Sequence, residues 1–362
     1  MIHIAIGTKA QLIKMAPILR LLTHKGIPYN LIDLGQHSLI TQELRQEFNL
    51  SEPAVFLSKG ANIASLLEAW KWLLKIVFKS LSASRIKKEI FLNQQGVCLI
   101  HGDTLSTLIG LYLAKRAGLK VAHIEAGLRS FCWHEPFPEE LFRIITMRFS
   151  DVLFAPSHWA YTNLARMGFQ KKAILVYSNT GKESAFLSLE KPVDLNIPCA
   201  DFALVTFHRI ENIFSRKRLV SIIKTLEKIS SSLPVVFVQH QPTINQLKKF
   251  HLWNKLKTIK NVSYFRILSH GHFIHLLNRC KFVLTDGGSI QEEAFYLGKP
   301  CLLLRCHTER DEGLQQNAVL SRFNAKTMDY FISHYSEFKR PRITASLPYA
   351  SETIVENLTR YI

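Results

Sequence analysis

Short apolar runs alternate with helix-length amphipathic segments along this chain, and that alternation predicts βα units that build parallel sheets. In the first half the predicted strands are Ile2–Ile6, Tyr29–Leu34, Val97–Ile100, Lys120–Ile124 and Val152–Ala155. Helices are expected between them at about Ala10–Lys25, Ala64–Leu81, Thr104–Ala117, Pro138–Phe149 and Trp159–Met167. A second series of strands follows at Phe202–Thr206, Pro234–Gln239, Val262–Phe265, Phe282–Thr285 and Cys301–Leu304. The polar stretch from Lys171 to Pro198, with Asn179-Thr180-Gly181 inside it, reads as the connection between the halves. At 362 residues there is material for two domains of ordinary size. The predicted class is α/β: two doubly wound Rossmann-like domains facing across a cleft, residues 1–170 and 171–345. Ligands of such sheets lie beyond the carboxyl ends of the strands.

One segment departs from the pattern. Residues 65–90 combine Trp70, Trp72, Leu73, Leu74, Ile76, Val77 and Phe78 with Lys71, Lys75, Lys79, Arg85, Lys87 and Lys88. That composition suits an interfacial amphipathic helix in peripheral contact with a membrane. It also suits a crossover helix packed on the sheet with lysines snorkelling outward, the reading its position favours. No run reaches the roughly 18 apolar residues of a spanning helix. Met1–Gly7 has neither a basic n-region nor a cleavage site and reads as a buried first strand. The six cysteines show no metal-type pairing and read as reduced thiols, so a cytoplasmic address is expected, with membrane association through 65–90 as its variant. The formal charge of +18 favours anionic partners. Without a zinc finger, an RNP-type motif or a basic tail, nucleic acid is not expected among them.

The candidate chemistry sits where predicted strands end and helices begin. Phe282-Val283-Leu284 feeds the turn Thr285-Asp286-Gly287-Gly288-Ser289, which opens a helix bearing Glu292 and Glu293. Small residues let a phosphate approach the helix N–H groups, and a carboxylate further on suits ribose hydroxyls. The same pattern also occurs in α/β proteins with no ligand. Asp103 follows a strand in His101-Gly102-Asp103-Thr104, or caps the next helix. Glu125 ends another strand in an apolar, small-residue setting that favours a raised pKa. Glu139 opens a helix after Pro136-Phe137-Pro138, where the dipole alone would place it. His208 and Arg209, after the strand Phe202–Thr206, suit phosphate contact or acid–base work. Together, three carboxylates and a His–Arg pair suit proton transfer beside a bound diphosphate.

The motifs HGDT, HIEAGLRS, PFPEE, TFHRIEN, TDGGSIQEEAFYLGKP and TER resemble those of the non-hydrolysing UDP-N-acetylglucosamine 2-epimerases, in the same order from GTKAQLIKMAP to HTER near residue 310. The resemblance implies a fold shared with GT-B glycosyltransferases, a homodimer, a UDP-sugar substrate, and neither a cofactor nor a metal. It implies a C-terminal helix within 346–362 that folds back on the first domain. By motif, Asp103, Glu125 and Glu139 become the acid–base carboxylates, and His208 the catalytic or leaving-group residue. Glu293 would bind ribose, and Arg209, Arg310, Gly287, Gly288 and Ser289 would hold the diphosphate. Lys14 matches the lysine of the substrate-binding N-terminal loop, and Lys9, in place of an arginine there, is counted with it as substrate-binding. Gln36, His37 and His240 match an activator site that some bacterial members use for a second UDP-sugar.

Several positions depart from the family. GTRPE is here Gly7-Thr8-Lys9-Ala10-Gln11, and lysine cannot reproduce a bidentate guanidinium contact. TDSGG is here TDGGS, which moves a hydroxyl from position 287 to Ser289. Phe142 replaces an asparagine, and His270 stands where tyrosine is frequent. The leading expectation is epimerisation at C2 of a UDP-N-acetylhexosamine for surface-polysaccharide synthesis. A GT-B-fold glycosyltransferase with a membrane-lipid acceptor is the alternative, and it would not need all three carboxylates. A non-catalytic nucleotide-sugar sensor would tolerate loss of Asp103, Glu125 or His208, all of which are present.

Overall fold

The computed structural model describes residues 1–35, 38–57, 82–132, 138–195, 197, 199–343 and 349–361. The expected helix Ala64–Leu81, and with it the Trp-rich part of 65–90, lies outside the described residues, as do Gln36 and His37. Two compact units emerge: the first runs from Met1 to Ser184, apart from a short departure after Arg129, and takes in the C-terminal helix. The second begins at Ala185.

In the first unit, seven parallel strands are ordered β3-β2-β1-β4-β5-β6-β7. They are β1 Ile2–Ile6, β2 Tyr29–Asp33, β3 Val55–Phe56, β4 Val97–His101, β5 Lys120–Ile124, β6 Val152–Ala155 and β7 Ala173–Leu175. The second unit repeats the plan with six, in the order β10-β9-β8-β11-β12-β13. These are β8 Ala203–Thr206, β9 Val235–Val238, β10 Val262–Phe265, β11 Phe282–Thr285, β12 Cys301–Leu303 and β13 Ala318–Leu320. Sheets covered by helices on both faces need strands that are apolar throughout. Accordingly β1, β4, β8, β9 and β11 are buried at every position. In each sheet the strand order reverses once, between β1 and β4 and between β8 and β11, the place where doubly wound folds bind ligands.

Three edge strands, β3, β7 and β13, escape the sequence pattern because two or three residues are too few to show a period. For the same reason Lys171–Pro198 is more than a connection. Ala173–Leu175 pairs with Leu153–Ala155, so the first sheet continues past residue 170, and Thr180–Glu190 is a helix. The units change over within that helix, between Ser184 and Ala185.

The C-terminal helix Ala350–Leu358 contacts the helix Lys9–His24. Its unpaired first-turn N–H groups are met by Glu183, which accepts from Ser351 N at 3.0 Å and from the Ser351 hydroxyl. Burial pushes the Glu183 carboxyl above its ordinary pKa, and these hydrogen bonds oppose the shift. Among the described residues no helix is long and apolar enough to cross a membrane.

Candidate active site

In the first unit the chemistry gathers beyond β1, β4 and β5. The turn after β1 is organised by Gln11, which replaces the family's carboxylate. Its Oε1 accepts from Gly7 N at 2.8 Å and Thr8 N at 3.1 Å, closing a capping box with Thr8. Its amide nitrogen donates to His101 O at 2.9 Å and to the Thr104 and Thr107 hydroxyls at 3.0 Å. A carboxylate could accept but not donate, so Gln11 ties the β1 turn to the end of β4 in a way its family counterpart cannot. Lys9 is the half-buried first residue of the same helix.

Lys14, in the second turn of that helix and 4 % exposed, forms an ion pair with Glu125 Oε1. Asn179 donates its side-chain amide to the same oxygen. His101 Nε2 lies 3.9 Å from Oε2. Glu125 itself is 6 % exposed and adopts φ +65°, a left-handed conformation that costs a non-glycine residue on the order of 1–3 kcal/mol. A strained, buried, ion-paired carboxylate at a strand end is a candidate for chemistry. Asp103 is paired with Arg143, which also donates to Glu140 Oε2 at 3.0 Å. Arg129 grips the other oxygen of Glu140. Glu139 is the half-buried first residue of the helix Glu139–Phe149, so this helix carries one candidate acid together with the arginine that holds another. Arg143, Glu140 and Asn179 were not singled out in the sequence. The i,i+3 spacing of Glu140 and Arg143 was a visible signal; Asn179 lay in what read as a connection.

In the second unit, Asp286 at the end of β11 is fully buried and accepts from His208 N at 3.1 Å, Arg209 N at 2.9 Å and Asn212 Nδ2 at 2.9 Å. Burial pushes its carboxyl above the ordinary range and these donors oppose it. Asp286 therefore shapes the turn after β8 that presents His208 and Arg209. The His208 ring stacks on His240 with centroids 4.2 Å apart. Crowding by protein, then the Arg209 charge, lower the His208 pKa; water tempers this, since the side chain is 42 % exposed.

Gly287 caps and Gly288 begins the helix Gly288–Tyr296, with Ser289 half-buried beside them. A Cβ on Gly288 would come within 2.7 Å of Arg310 Nε and 2.8 Å of Glu309 Oε1, so any larger residue there displaces the guanidinium. Arg310 is ion-paired with Glu292, and Arg209 lies 3.9 Å from Glu309, which also takes a 2.8 Å bond from the buried Arg305. Two arginines held beside carboxylates near a glycine-started helix are components from which an anion site can be built. Glu293 is 7 % exposed and 3.2 Å from His270 Nε2.

Several of these groups titrate away from their ordinary values. Burial lowers His3, His101 and His123 to about 4, so all three are neutral in the fold. An imidazole depressed from 6.5 to about 4 contributes stability that is complete above 6.5 and lost as pH falls through 4, on the order of 2–3 kcal/mol each. Glu312, raised to about 8 by burial and then by Glu292, runs the other way, its cost growing from pH 4.5 to about 8. The expected observation is that the ring-proton resonances of His3, His101 and His123 keep neutral-imidazole positions at pH 5.5. Titration of all three near 6.5 would contradict the buried geometry.

The model of the UDP-N-acetylglucosamine 2-epimerase family matches residues 20–330. The UDP-N-acetylglucosamine 2-epimerase of Methanocaldococcus jannaschii is 32% identical over 330 residues, spanning 88% of this chain and 87% of that protein. The UDP-2,3-diacetamido-2,3-dideoxy-D-glucuronate 2-epimerase of Pseudomonas aeruginosa is 38% identical over 216 residues, 58% of this chain and 59% of that one. The crystal structure of the M. jannaschii enzyme in complex with UDP-GlcNAc and UDP matches with a TM-score of 0.84 at 30% identity over 99% of each chain. With the family model over most of the chain, relatives of this identity and a matching two-domain α/β fold, this chain belongs to the UDP-N-acetylglucosamine 2-epimerase family.

Proposed function

We propose that this isomerase inverts C2 of a UDP-N-acetylhexosamine, of the UDP-GlcNAc to UDP-ManNAc type, by elimination and re-addition of UDP. The observation that carries the reading is the buried first-unit cluster, in which Glu125 and Asp103 are each held by a cation and an adjacent helix supplies Glu139. A carboxylate removes the C2 proton as the C1–oxygen bond to UDP breaks, with the electron pair leaving on the diphosphate. The product is a C1–C2 unsaturated sugar and UDP. In return, the diphosphate oxygen bonds to C1 while a second acid delivers a proton to the opposite face of C2.

Such chemistry needs two proton-transfer groups and a cationic grip that keeps UDP from diffusing away. Asp103, Glu125 and Glu139 serve as the proton-transfer candidates, and His208 acts at the leaving oxygen. Arg209, Arg310 and the Gly287–Ser289 helix start hold the diphosphate, while Glu293 takes the ribose. The product would serve as a donor for surface-polysaccharide synthesis. The Pseudomonas relative motivates a second substrate reading, a diacetamido glucuronate form of the same nucleotide sugar.

Incubation in deuterated water with each nucleotide sugar separates the readings. Deuterium entering C2 together with the C2 epimer identifies the substrate. An enzyme that binds UDP yet exchanges no C2 proton in either sugar would rule the proposal out.

A further inference from the structure

The carboxylate proposed for the ribose is itself held by a side chain that the reaction does not use. His270 opens the helix His270–Arg279 and is 5 % exposed. Its Nε2 lies 3.2 Å from Glu293 Oε1, and its Nδ1 lies 3.0 Å from the Ser188 hydroxyl. Ser188 and Glu293 are equally sequestered, at 4 % and 7 % exposure. The three residues come from three helices, Thr180–Glu190, His270–Arg279 and Gly288–Tyr296. Ser269 caps the middle one by accepting from His272 N, so the first turn that bears His270 is pinned.

The chemistry of the three groups orders their hydrogens. A carboxylate oxygen accepts, so in the pair with Glu293 the Nε2 nitrogen is the donor. With Nε2 as the donor, Nδ1 is the ring nitrogen placed to accept from the Ser188 hydroxyl. The relay runs in one direction, from serine through imidazole to carboxylate.

We propose that His270 is a positioning residue for the nucleotide: it fixes Oε1 of Glu293, so that Oε2 is the oxygen left to accept from the ribose hydroxyls. This rests on the reading of Glu293 as the ribose ligand. A carboxylate locked before the ligand arrives loses less rotamer freedom on binding than one that must be ordered by it. A buried acceptor also penalises a ligand without the matching hydroxyl, because the acceptor is then left unsatisfied. The relay therefore acts on discrimination between ribose and its deoxy analogues more than on the reaction at C2.

Calorimetric titration of the full chain with UDP and with 2′,3′-dideoxy-UDP tests the idea. Wild type should prefer UDP by about 100-fold. His270→Phe should shrink that ratio to about 10-fold or less, and His270→Gln, whose amide can donate from a similar position, should keep most of it. In turnover, His270→Phe should raise KM with kcat within about threefold, the signature of binding lost equally from ground and transition states. If wild type binds the two nucleotides equally, the ribose reading of Glu293 fails and this proposal with it. A wild type that discriminates, beside a His270→Phe variant that discriminates as well, overturns the positioning role alone. Should His270→Phe not fold, Ser188→Ala decides: its ratio should drop about threefold, and an unchanged ratio overturns the relay.

Discussion

Replacing Glu125 by glutamine is expected to lower kcat by about three orders of magnitude, the range in which positioned proton-transfer groups act. Affinity for UDP should stay within a few-fold, because the residues proposed to hold the diphosphate belong to the second unit and lean on other carboxylates. Glutamine keeps the shape and the Asn179 contact but removes the charge that Lys14 meets at 4 % exposure. Depriving a buried ammonium of this carboxylate costs about 3–5 kcal/mol, so thermal stability should fall together with activity. The double substitution Lys14→Met with Glu125→Gln separates the two effects. It should recover much of the lost stability, since a neutral pair carries no stranded charge, and none of the lost turnover. A Glu125→Gln enzyme with kcat within tenfold of wild type would remove Glu125 from the chemistry.

Asp286→Ala should be the most damaging change in the second unit. It strips acceptors from the backbone of His208 and Arg209 and from Asn212, all of which converge on a carboxylate with no solvent exposure. Each stranded donor costs about 1–3 kcal/mol, and the turn that carries His208 and Arg209 keeps the Thr243 hydroxyl bond to Phe207 O as a remaining tie. Loss of kcat/KM should reach about 100-fold or more, with weaker UDP binding and a lowered Tm. Asp286→Asn should recover part of the loss, because an amide oxygen in the Oδ2 position can still accept from His208 N, Arg209 N and Asn212 Nδ2, while its amide nitrogen faces only the shared His208 N–H. Calorimetry with UDP, beside a melting curve, checks both halves of the expectation. Near wild-type kcat/KM in Asp286→Ala would show that the turn holds itself.

Much of the fold was legible along the chain. Nearly every central strand lies where an apolar run stands, because parallel strands buried on both faces have to be apolar throughout. The edge strands and the helix Thr180–Glu190 were not legible. Ala173–Leu175 is a strand through its pairing with β6, a long-range property that three residues cannot advertise. Of the candidate site, Asp103, Glu125, His208 and the Gly287–Ser289 turn were singled out from strand-end position and motif. Their partners were not. Arg143 looked like any helix cation until it was found against Asp103 and Glu140. Asp286 stood in the quoted motif, yet nothing local showed that its carboxylate organises a turn 78 residues away in sequence.

By itself, then, the amino-acid order determined the α/β class, the placement of small and charged residues at strand ends, and the family. These follow from hydrophobic period, turn chemistry and motif spacing, which act over neighbouring residues. Tertiary structure alone decided which charges meet: Lys14 reaches Glu125 across 111 residues of chain, and Ser188 reaches His270 across 82. Such pairs exist because parallel strand order brings distant strand ends side by side and burial then requires each polar group found there to have a partner.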